Sequence, residues 1–243
     1  MKKACIVIPT YNEADNIKNL IDSIFKVSKK INNYQIDILI VDDNSPDGTS
    51  DIVKKIKNKN LYLLIRGKKE GLGKAYIDGF EYALKNLKPD VLFQMDADFS
   101  HNPKEIPNFL KQIDKGYDFV IGSRYIKNGK IINWGLNRKI ISKSGNLFAK
   151  LIAGLNTNDC TSGYRAIKTS LIKKLDLKEI NTHGYAFLME LIYLVKTKKA
   201  KIKEIPITFV DRRVGKSKMK KRDMVEFFIN CFRLRLKSLF INT

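Results

Sequence analysis

Two aspartates one residue apart, Asp96 and Asp98, follow an apolar segment of strand length at residues 91–95. In an extended chain, alternate side chains point to the same side, so both carboxylates can face one ligand. Carboxylate oxygens are preferred ligands of hard divalent cations, which also bind phosphates. The alternative is a strand-to-turn cap, in which Asp98 accepts hydrogen bonds from nearby backbone amides. Because two aspartates at this spacing also occur by chance, the rest of the chain must decide between these interpretations.

Two earlier apolar segments, residues 4–8 and 36–41, also end in polar side chains. Apolar residues at helical spacing follow each segment, so strands alternate with helices. This alternation predicts an α/β fold with a mostly parallel sheet and helices on both faces. Ligands bind at the carboxyl ends of the strands of such sheets. The polar residues at the three strand ends are Tyr11 and Glu13, Asp42 and Asp43, and Asp96 and Asp98. We therefore expect these residues to converge at one sheet edge.

The composition is that of one globular domain with a small appendage, with 243 residues of which 44% are hydrophobic and 29% charged. The net charge is +21, from 46 basic and 25 acidic residues. Such a charge favours anionic partners, namely nucleic acid, an anionic membrane or phosphorylated substrates. The sequence has no zinc-ligand spacing, no aromatic RNA-binding strand and no recognisable DNA-reading motif. We therefore expect no nucleic-acid partner.

The sequence also bears on location and redox state. No apolar run approaches the roughly 20 residues needed to cross a bilayer. The first apolar stretch is cut by Pro9 and is too short for a signal peptide. We expect a cytoplasmic protein. Its cysteines, Cys5, Cys160 and Cys231, lie far apart without metal-ligand spacing, which predicts reduced, structural thiols.

The C-terminal region combines apolar and basic residues at helical spacing. We predict a catalytic domain at residues 1–218 and a basic amphipathic helix at residues 219–243. The apolar side of this helix consists of Met224, Phe227, Phe228, Cys231, Phe232, Leu236 and Leu239. One interpretation is a helix that lies on an anionic membrane surface. The other is a terminal helix that docks on its own sheet, and periodicity alone does not separate them.

Seven motifs occur in order over nearly the whole chain. They are PTYNE at 9–13, VDDNSPDGT at 41–49, GLGKA at 71–75, MDADFSH at 95–101, GSRY at 122–125, SGYR at 162–165 and the basic segment 212–218. Each motif alone is weak, but the ordered set resembles the inverting glycosyltransferases of family 2, which have a GT-A fold. Within that family it is most similar to the dolichyl-phosphate mannose synthases.

The resemblance implies a donor site for a nucleotide sugar. It assigns the nucleoside to Pro9, Tyr11, Glu13, Val41 and Asp43, and the diphosphate and metal to Asp96, Ala97 and Asp98. The other donor-site residues that it implies are Arg124, Arg212 and Lys218. Asp96, Asp98 and Arg124 are the catalytic positions. The resemblance places Mg²⁺ or Mn²⁺ at Asp98 and Ser100. Some relatives carry Gln at the position of Ser100, and the serine hydroxyl is a weaker metal ligand. Arg212 and Lys218 are expected to close over the diphosphate, although a solvated basic turn is the alternative.

The resemblance also implies an acceptor-phosphate site formed by Arg124, Arg138 and Ser142. Arg124 follows the apolar segment 119–122, and Arg138 begins an amphipathic helix. Guanidinium groups suit phosphate because they form forked contacts. For Arg138 the alternative is a solvated arginine at a helix end. Glu190 lies in an apolar helix, where we expect it to pair with a buried arginine or amide and to have no catalytic role.

The resemblance therefore implies transfer of mannose from GDP-mannose to polyprenyl (dolichyl) phosphate at the cytosolic face of a membrane. A divalent cation stabilises the charge on a departing diphosphate. The protein would associate with the membrane peripherally or through a membrane-embedded partner. An alternative within the class is glucose transfer from UDP-glucose, or of another sugar, to the same lipid. From another class, the alternative is a noncatalytic basic module that binds anionic membrane or nucleic acid.

Overall fold

A computed structural model describes residues 1–180, 182, 184–211 and 221–241. The strands are β1 (Lys2–Thr10), β2 (Tyr34–Asp42), β3 (Leu61–Ile65), β4 (Val91–Gln94), β5 (Phe119–Ser123), β6 (Lys130–Ile132), β7 (Arg165–Lys168), β8 (Ile202–Pro206) and β9 (Thr208–Val210). The helices are α1 (Ala14–Ser28), α2 (Thr49–Lys55), α3 (Leu72–Tyr82), α4 (Ile106–Asp114), α5 (Leu136–Ile152), α6 (Thr169–Ile172), α7 (Gly184–Thr197) and α8 (Lys221–Ile241). The predicted domain boundary at residue 218 lies outside the described residues.

The main sheet has seven strands in the order β3-β2-β1-β4-β7-β5-β8. Every neighbouring pair is parallel except the two that involve β7, which runs antiparallel to β4 and to β5. The mostly parallel sheet is therefore confirmed, whereas the reversed β7 was not predicted. Arg165 begins β7 opposite Gln94, where β4 ends, so the chain enters the sheet from the ligand-binding edge. A second, two-stranded sheet pairs β6 with β9.

Alternate side chains of the strands pack into two apolar layers, one on each face of the sheet. One layer joins β1, β2 and β4 to α3, α7 and α8, and the other joins them to α1 and α4. Helix α7 is apolar on all sides because it lies between the sheet and α8. The three cysteines are buried and unpaired, as predicted. Among the described residues, no helix is both long and apolar enough to cross a bilayer.

Helix α3 lies unusually close to the sheet at Gly79. A Cβ at this position would be 2.5 Å from Cγ1 of Val7 and 2.9 Å from Cγ2 of Val41. We expect Gly79→Ala to lower the free energy of unfolding by about 1–3 kcal/mol, because both valines are fixed in the core. Urea denaturation measures this change. Gly67→Ala is the matched control, since no atom lies within 4 Å of its Cβ. Equal stability of the two variants would contradict the prediction.

Candidate active site

The loops after β1 and β2 are joined by a hydrogen-bonded network at one sheet edge. Asp42 is fully buried and accepts hydrogen bonds from Thr10 Oγ1 at 2.7 Å and from Ser45 Oγ at 2.6 Å. The backbone N–H groups of Asn12 and Glu13 donate to the second loop, each over 3.0 Å. Asp42 is therefore a structural residue that closes the turn. It leaves its neighbour Asp43 to face the edge.

Asp43 is buried and forms an ion pair with Arg66, the first residue after β3. The same guanidinium donates to Asp78 Oδ2 at 2.8 Å and to Glu70 Oε2 at 3.1 Å. Burial raises the pKa of Asp43, and the nearby Arg66 opposes that rise. Arg66 was not predicted from the sequence. It directly follows β3, so the expectation that ligand-binding residues follow the strand ends, which identified Asp43, also applies to it.

The residues predicted to bind the nucleoside lie around this edge. Pro9 is paired with Val41 in the register of β1 and β2. The ring of Tyr11 lies under the ammonium group of Lys69, with 3.7 Å between Nζ and the ring centroid. Glu13 accepts a hydrogen bond from Asn16 Nδ2 at 3.0 Å, at the start of α1. The structure thus brings the predicted nucleoside residues to one side of the edge.

Asp96 and Asp98 follow β4 at the same edge, and they differ in exposure. The side chain of Asp96 is 36% exposed, whereas Asp98 is buried. Tyr76 donates to Asp96 Oδ1 over 3.4 Å. Asp98 Oδ1 accepts hydrogen bonds from Ser100 N at 3.1 Å and from Ser100 Oγ at 2.6 Å. The turn that was the alternative interpretation is therefore present, and it holds the carboxylate of Asp98 in one orientation.

The buried side chain of His101 supports the backbone of this turn at Asp96. Its Nδ1 accepts a hydrogen bond from the backbone N–H of Asp96 at 3.0 Å, so its own proton lies on Nε2. Burial lowers the pKa of His101. The ring stacks on Tyr164, with 4.9 Å between centroids. His101 thus acts as a neutral support for Asp96.

The donor set suits a magnesium or manganese ion that is shared with a diphosphate. Within the described part of the chain, no group of three His, Cys, Asp or Glu residues forms a complete metal cage. Mg²⁺ usually takes one or two protein carboxylates and completes its shell with phosphate oxygens and water. Asp96, Asp98 and the hydroxyl of Ser100 fit this incomplete shell. The remaining ligands would come from a bound nucleotide.

Arg124 follows β5 and is held by a residue that the sequence analysis missed. Its Nε and Nη2 form a forked pair with Asp159 at 2.7 and 2.6 Å, and its backbone N donates to the same carboxylate at 2.9 Å. Thr161 Oγ1 accepts a further hydrogen bond from Nη2 at 2.8 Å. Both Arg124 and Asp159 are buried. No local sequence pattern marks Asp159, because its partner is 35 residues away.

An aromatic cluster joins the residues predicted to bind the acceptor phosphate. The guanidinium carbon of Arg138 is 4.0 Å from the ring centroid of Trp134, and that of Arg124 is 5.5 Å from it. Arg138 also pairs with Asp211 at 2.8 Å. Burial raises the pKa of the Tyr125 phenol, and the neighbouring Arg124 and Ser142 oppose that rise. The three predicted residues therefore lie around the rings of Trp134 and Tyr125. Neither ring was predicted from the sequence to take part in this site.

The loop at residues 159–165 connects the part of the site around Arg124 to the part around Asp96. It carries Asp159 at one end and Gly163, which lies against Asp96, near the other. The buried Arg165 holds this loop in place. It donates hydrogen bonds to the carbonyl oxygens of Ser162 and Cys160 in the loop, at 2.7 and 2.9 Å, and to that of Leu188 in α7, at 2.8 Å. Burial lowers the pKa of Arg165 to about 10, so it remains charged at neutral pH.

Gly163 allows this loop to approach the carboxylate of Asp96. A Cβ at residue 163 would lie 3.3 Å from Asp96 Oδ1 and 3.4 Å from His101 Cε1. We expect Gly163→Ala to displace Asp96 and to lower kcat by roughly 3- to 10-fold, since small misplacements reduce catalysis steeply. The control is Gly145→Ala, whose Cβ meets only Phe227 at 3.8 Å. The measurement is kcat for sugar transfer in detergent, after circular dichroism has shown that both variants are folded. Equal kcat values for the two variants would contradict the prediction.

Two predicted donor residues, Arg212 and Lys218, lie outside the described residues. Glu190 accepts a hydrogen bond from Thr182 Oγ1 at 2.7 Å and lies 3.6 Å from Arg233 Nη1. The predicted pairing with an arginine is present, but the arginine comes from α8 and is 40% exposed rather than buried. This ion pair connects α7 to α8.

Comparisons with known proteins agree over nearly the whole chain. The model of the glycosyl transferase family 2 matches residues 5–176. An undecaprenyl-phosphate mannosyltransferase of Micrococcus luteus is 38% identical over 93% of this chain and 91% of its own length. A polyprenol monophosphomannose synthase of Mycolicibacterium smegmatis is 35% identical, over 90% of this chain and 81% of its own. A dolichol-phosphate mannosyltransferase of Pyrococcus furiosus is 36% identical over 96% of this chain, which spans 63% of that longer protein.

Solved structures share the fold at lower sequence identity. Mannosyl-3-phosphoglycerate synthase from Rubrobacter xylanophilus superposes with a TM-score of 0.69 at 18% identity, covering 99% of this chain and 75% of that one. Glucosyl-3-phosphoglycerate synthase from Mycobacterium tuberculosis, solved with Mn²⁺, UDP and phosphoglyceric acid, superposes with a TM-score of 0.68 at 16% identity. That likeness covers 95% of this chain and 78% of the other. The fold is therefore GT-A-like.

Proposed function

The chain belongs to glycosyl transferase family 2, and on that premise we propose that it transfers mannose from GDP-mannose to polyprenyl (dolichyl) phosphate. The observation that carries this proposal is the agreement of three relatives, each aligned over at least 90% of the chain and named for mannose transfer to such lipids. The arrangement of the strands supports it, because Tyr11, Asp43, Asp98 and Arg124 follow β1, β2, β4 and β5, which run in the same direction through the sheet. The reaction inverts the anomeric centre.

The donor binds along the ends of β1, β2 and β4. Pro9, Tyr11, Glu13 and Val41 contact the nucleoside, and Asp43, oriented by its ion pair with the buried Arg66, accepts hydrogen bonds from it. The sugar diphosphate then lies over the ends of β4 and β5, at Asp96, Ala97, Asp98 and Arg124. We also propose that Arg212 and Lys218, which lie outside the described residues, bind the diphosphate.

Asp98 and Ser100 would hold Mg²⁺ or Mn²⁺, with the carboxylate of Asp96 two residues before Asp98. Support comes from the incomplete carboxylate shell and from the structural neighbour that binds Mn²⁺ together with UDP. When bound, the ion supplies positive charge that stabilises the departing diphosphate. Ser100 keeps Asp98 oriented through its 2.6 Å hydrogen bond, and Tyr76 and His101 keep Asp96 in place.

The acceptor phosphate binds at Arg124, Arg138 and Ser142. Its oxygen is already anionic, so attack on the anomeric carbon needs little help from a general base. The transition state has oxocarbenium character, as in glycoside hydrolysis. The task of the protein is therefore to hold two phosphate-bearing substrates together, for which cations are required. Asp159 keeps the guanidinium of Arg124 in a single orientation through its forked contact.

The acceptor is a lipid, so the enzyme acts peripherally at the cytosolic face of a membrane. The predicted contact is the C-terminal helix, and a membrane-embedded partner protein is a second route to the same place. Support comes from the basic charge of +21 and from the exposed apolar residues of α8. Such a location would bring the strand ends to a lipid-borne phosphate.

Sugar transfer from a panel of labelled nucleotide sugars to polyprenyl phosphate in detergent tests the proposal. We expect only GDP-mannose to label the lipid, and EDTA to abolish the transfer. Readdition of Mg²⁺ or Mn²⁺ should restore it. Preference for UDP-glucose would overturn the named donor and retain the reaction class. Absence of transfer from every donor would overturn the enzymatic proposal.

A further inference from the structure

Exposed apolar side chains are concentrated on two helices, α5 and α8. Of the 13 large apolar residues that are exposed in the described part of the chain, five lie on α5 and five on α8. Soluble proteins rarely leave a contiguous apolar surface of this kind without a binding role. The remaining three, Met1, Ile65 and Ile132, lie elsewhere.

Helix α5 has an apolar stripe on the side away from the core. Its members follow each other at spacings of four, seven and four residues, which places them on one side of a helix. They are Leu136, Ile140, Leu147 and Leu151, and they are 53–71% exposed. The buried residues of the same helix, Asn146 and Ala149, lie on the other side.

Helix α8 is apolar on two opposite sides. Phe227, Cys231 and Leu234 are buried against the rest of the protein. A second stripe, with spacings of four, three and four residues, is exposed. It consists of Val225, Ile229, Phe232 and Leu236, which are 54–63% exposed. The interpretation in which the tail docks on its own protein therefore holds for one side of α8, whereas the other side stays accessible.

The two exposed stripes form one surface, which we call the α5–α8 face. Phe148 of α5 makes edge-to-face contacts with Phe228 and Phe232 of α8, with 5.1 and 5.7 Å between ring centroids. The stripes are thus held side by side by aromatic packing. We define the α5–α8 face by the four residues of each stripe together with Phe228.

Positive charge borders the apolar surface. Helix α5 contains no acidic residue. Its three lysines, Lys139, Lys143 and Lys150, are spaced by four and seven residues, so they form a row beside the apolar stripe. Lys143 and Lys150 are exposed. An apolar surface with a lysine margin matches the boundary between the acyl chains and the headgroups of an anionic bilayer.

We propose that the α5–α8 face is the surface through which the protein docks on an anionic lipid bilayer. This inference rests on the proposed function, because the acceptor it serves is a lipid phosphate. The first turns of α5 carry Arg138 and Ser142, so docking would place the acceptor-phosphate residues at the headgroup level. A second copy of the chain fits less well, because a symmetric contact would bring together the α5 helices of both copies, each with a row of lysines and no acidic residue.

Sedimentation with vesicles tests the docking surface. We expect the wild-type protein to bind vesicles of phosphatidylcholine with phosphatidylglycerol more tightly than vesicles of phosphatidylcholine alone. Leu151→Ser combined with Leu236→Ser should weaken binding at least about tenfold, since each leucine loses its apolar insertion. Lys143→Gln combined with Lys150→Gln should weaken it about fivefold per lysine, only on anionic vesicles. The matched control Ile65→Ser removes an exposed apolar side chain from β3, the outermost strand of the main sheet. This variant should bind vesicles like wild type.

The activity of the same variants separates this inference from the proposed function. Transfer to vesicle-borne polyprenyl phosphate should fall with Leu151→Ser/Leu236→Ser, while transfer to a short-chain polyprenyl phosphate in detergent should not. Wild-type vesicle binding by this variant would overturn the inference. So would a wild-type dimer in sedimentation velocity that the variant converts to a monomer. If no acceptor is labelled but vesicle binding responds as described, the proposed function fails and the docking surface stands.

Discussion

Asp98→Asn is expected to lower the rate of sugar transfer by about 10²–10³-fold at saturating Mn²⁺, the range found when one preorganised charge-stabilising group is removed. Asparagine keeps the shape of aspartate, and its carbonyl oxygen can still accept the hydrogen bonds that Ser100 N and Oγ donate over 3.1 and 2.6 Å. The fold should therefore persist. What is lost is the negative charge that would bind the divalent ion opposite the departing diphosphate.

The measurement is kcat with GDP-mannose across a Mn²⁺ titration, together with urea denaturation. The control variant is Ser100→Ala, which removes the weaker predicted ligand and keeps the carboxylate. We expect it to lower kcat less than tenfold and to raise the Mn²⁺ concentration needed for half-maximal rate. A rate for Asp98→Asn within threefold of wild type at every Mn²⁺ concentration would exclude a catalytic metal role for this residue.

Asp159→Ala is expected to lower the free energy of unfolding by about 3–5 kcal/mol, because it leaves a buried guanidinium without the carboxylate that pairs with it. Asp159 accepts three hydrogen bonds from Arg124, at 2.6, 2.7 and 2.9 Å, and both residues are buried. Transfer activity should also be lost, since Arg124 belongs to both proposed substrate sites. Urea denaturation and the detergent assay measure the two effects.

Two controls separate the buried charge from the loss of a contact. Asp51→Ala breaks the exposed pair with Lys54, whose side chains are 66% and 54% exposed, and should change stability by less than about 1 kcal/mol. Arg124→Met combined with Asp159→Leu removes both buried charges. It should be more stable than Asp159→Ala and still inactive. A loss below 1 kcal/mol for Asp159→Ala would mean that the pair does not hold this part of the site.

The fold class and one half of the site could be predicted from the sequence because both depend on local periodicity. Apolar runs alternating with helical spacing specify strands and helices, and their alternation specifies a mostly parallel sheet. Since parallel strands end at one edge, the polar residues after β1, β2 and β4 had to meet there. The positions of Tyr11, Asp43, Asp96 and Asp98 follow from that rule and from covalent neighbours alone.

Partners distant in the chain were decided only by the tertiary structure. Asp159 meets Arg124 across 35 residues, and Arg66 meets Asp43 across 23. No local period encodes such pairs, because the distance between their members depends on which strands lie side by side, β5 and β7 for the first pair and β2 and β3 for the second. Likewise, of the seven apolar residues predicted for one side of the tail helix, the five whose side chains the structure describes divide, with Phe227 buried and Phe232 exposed. Periodicity identifies which residues of a helix are apolar, but only the packing of α7 and α5 around it determines which of them water can reach.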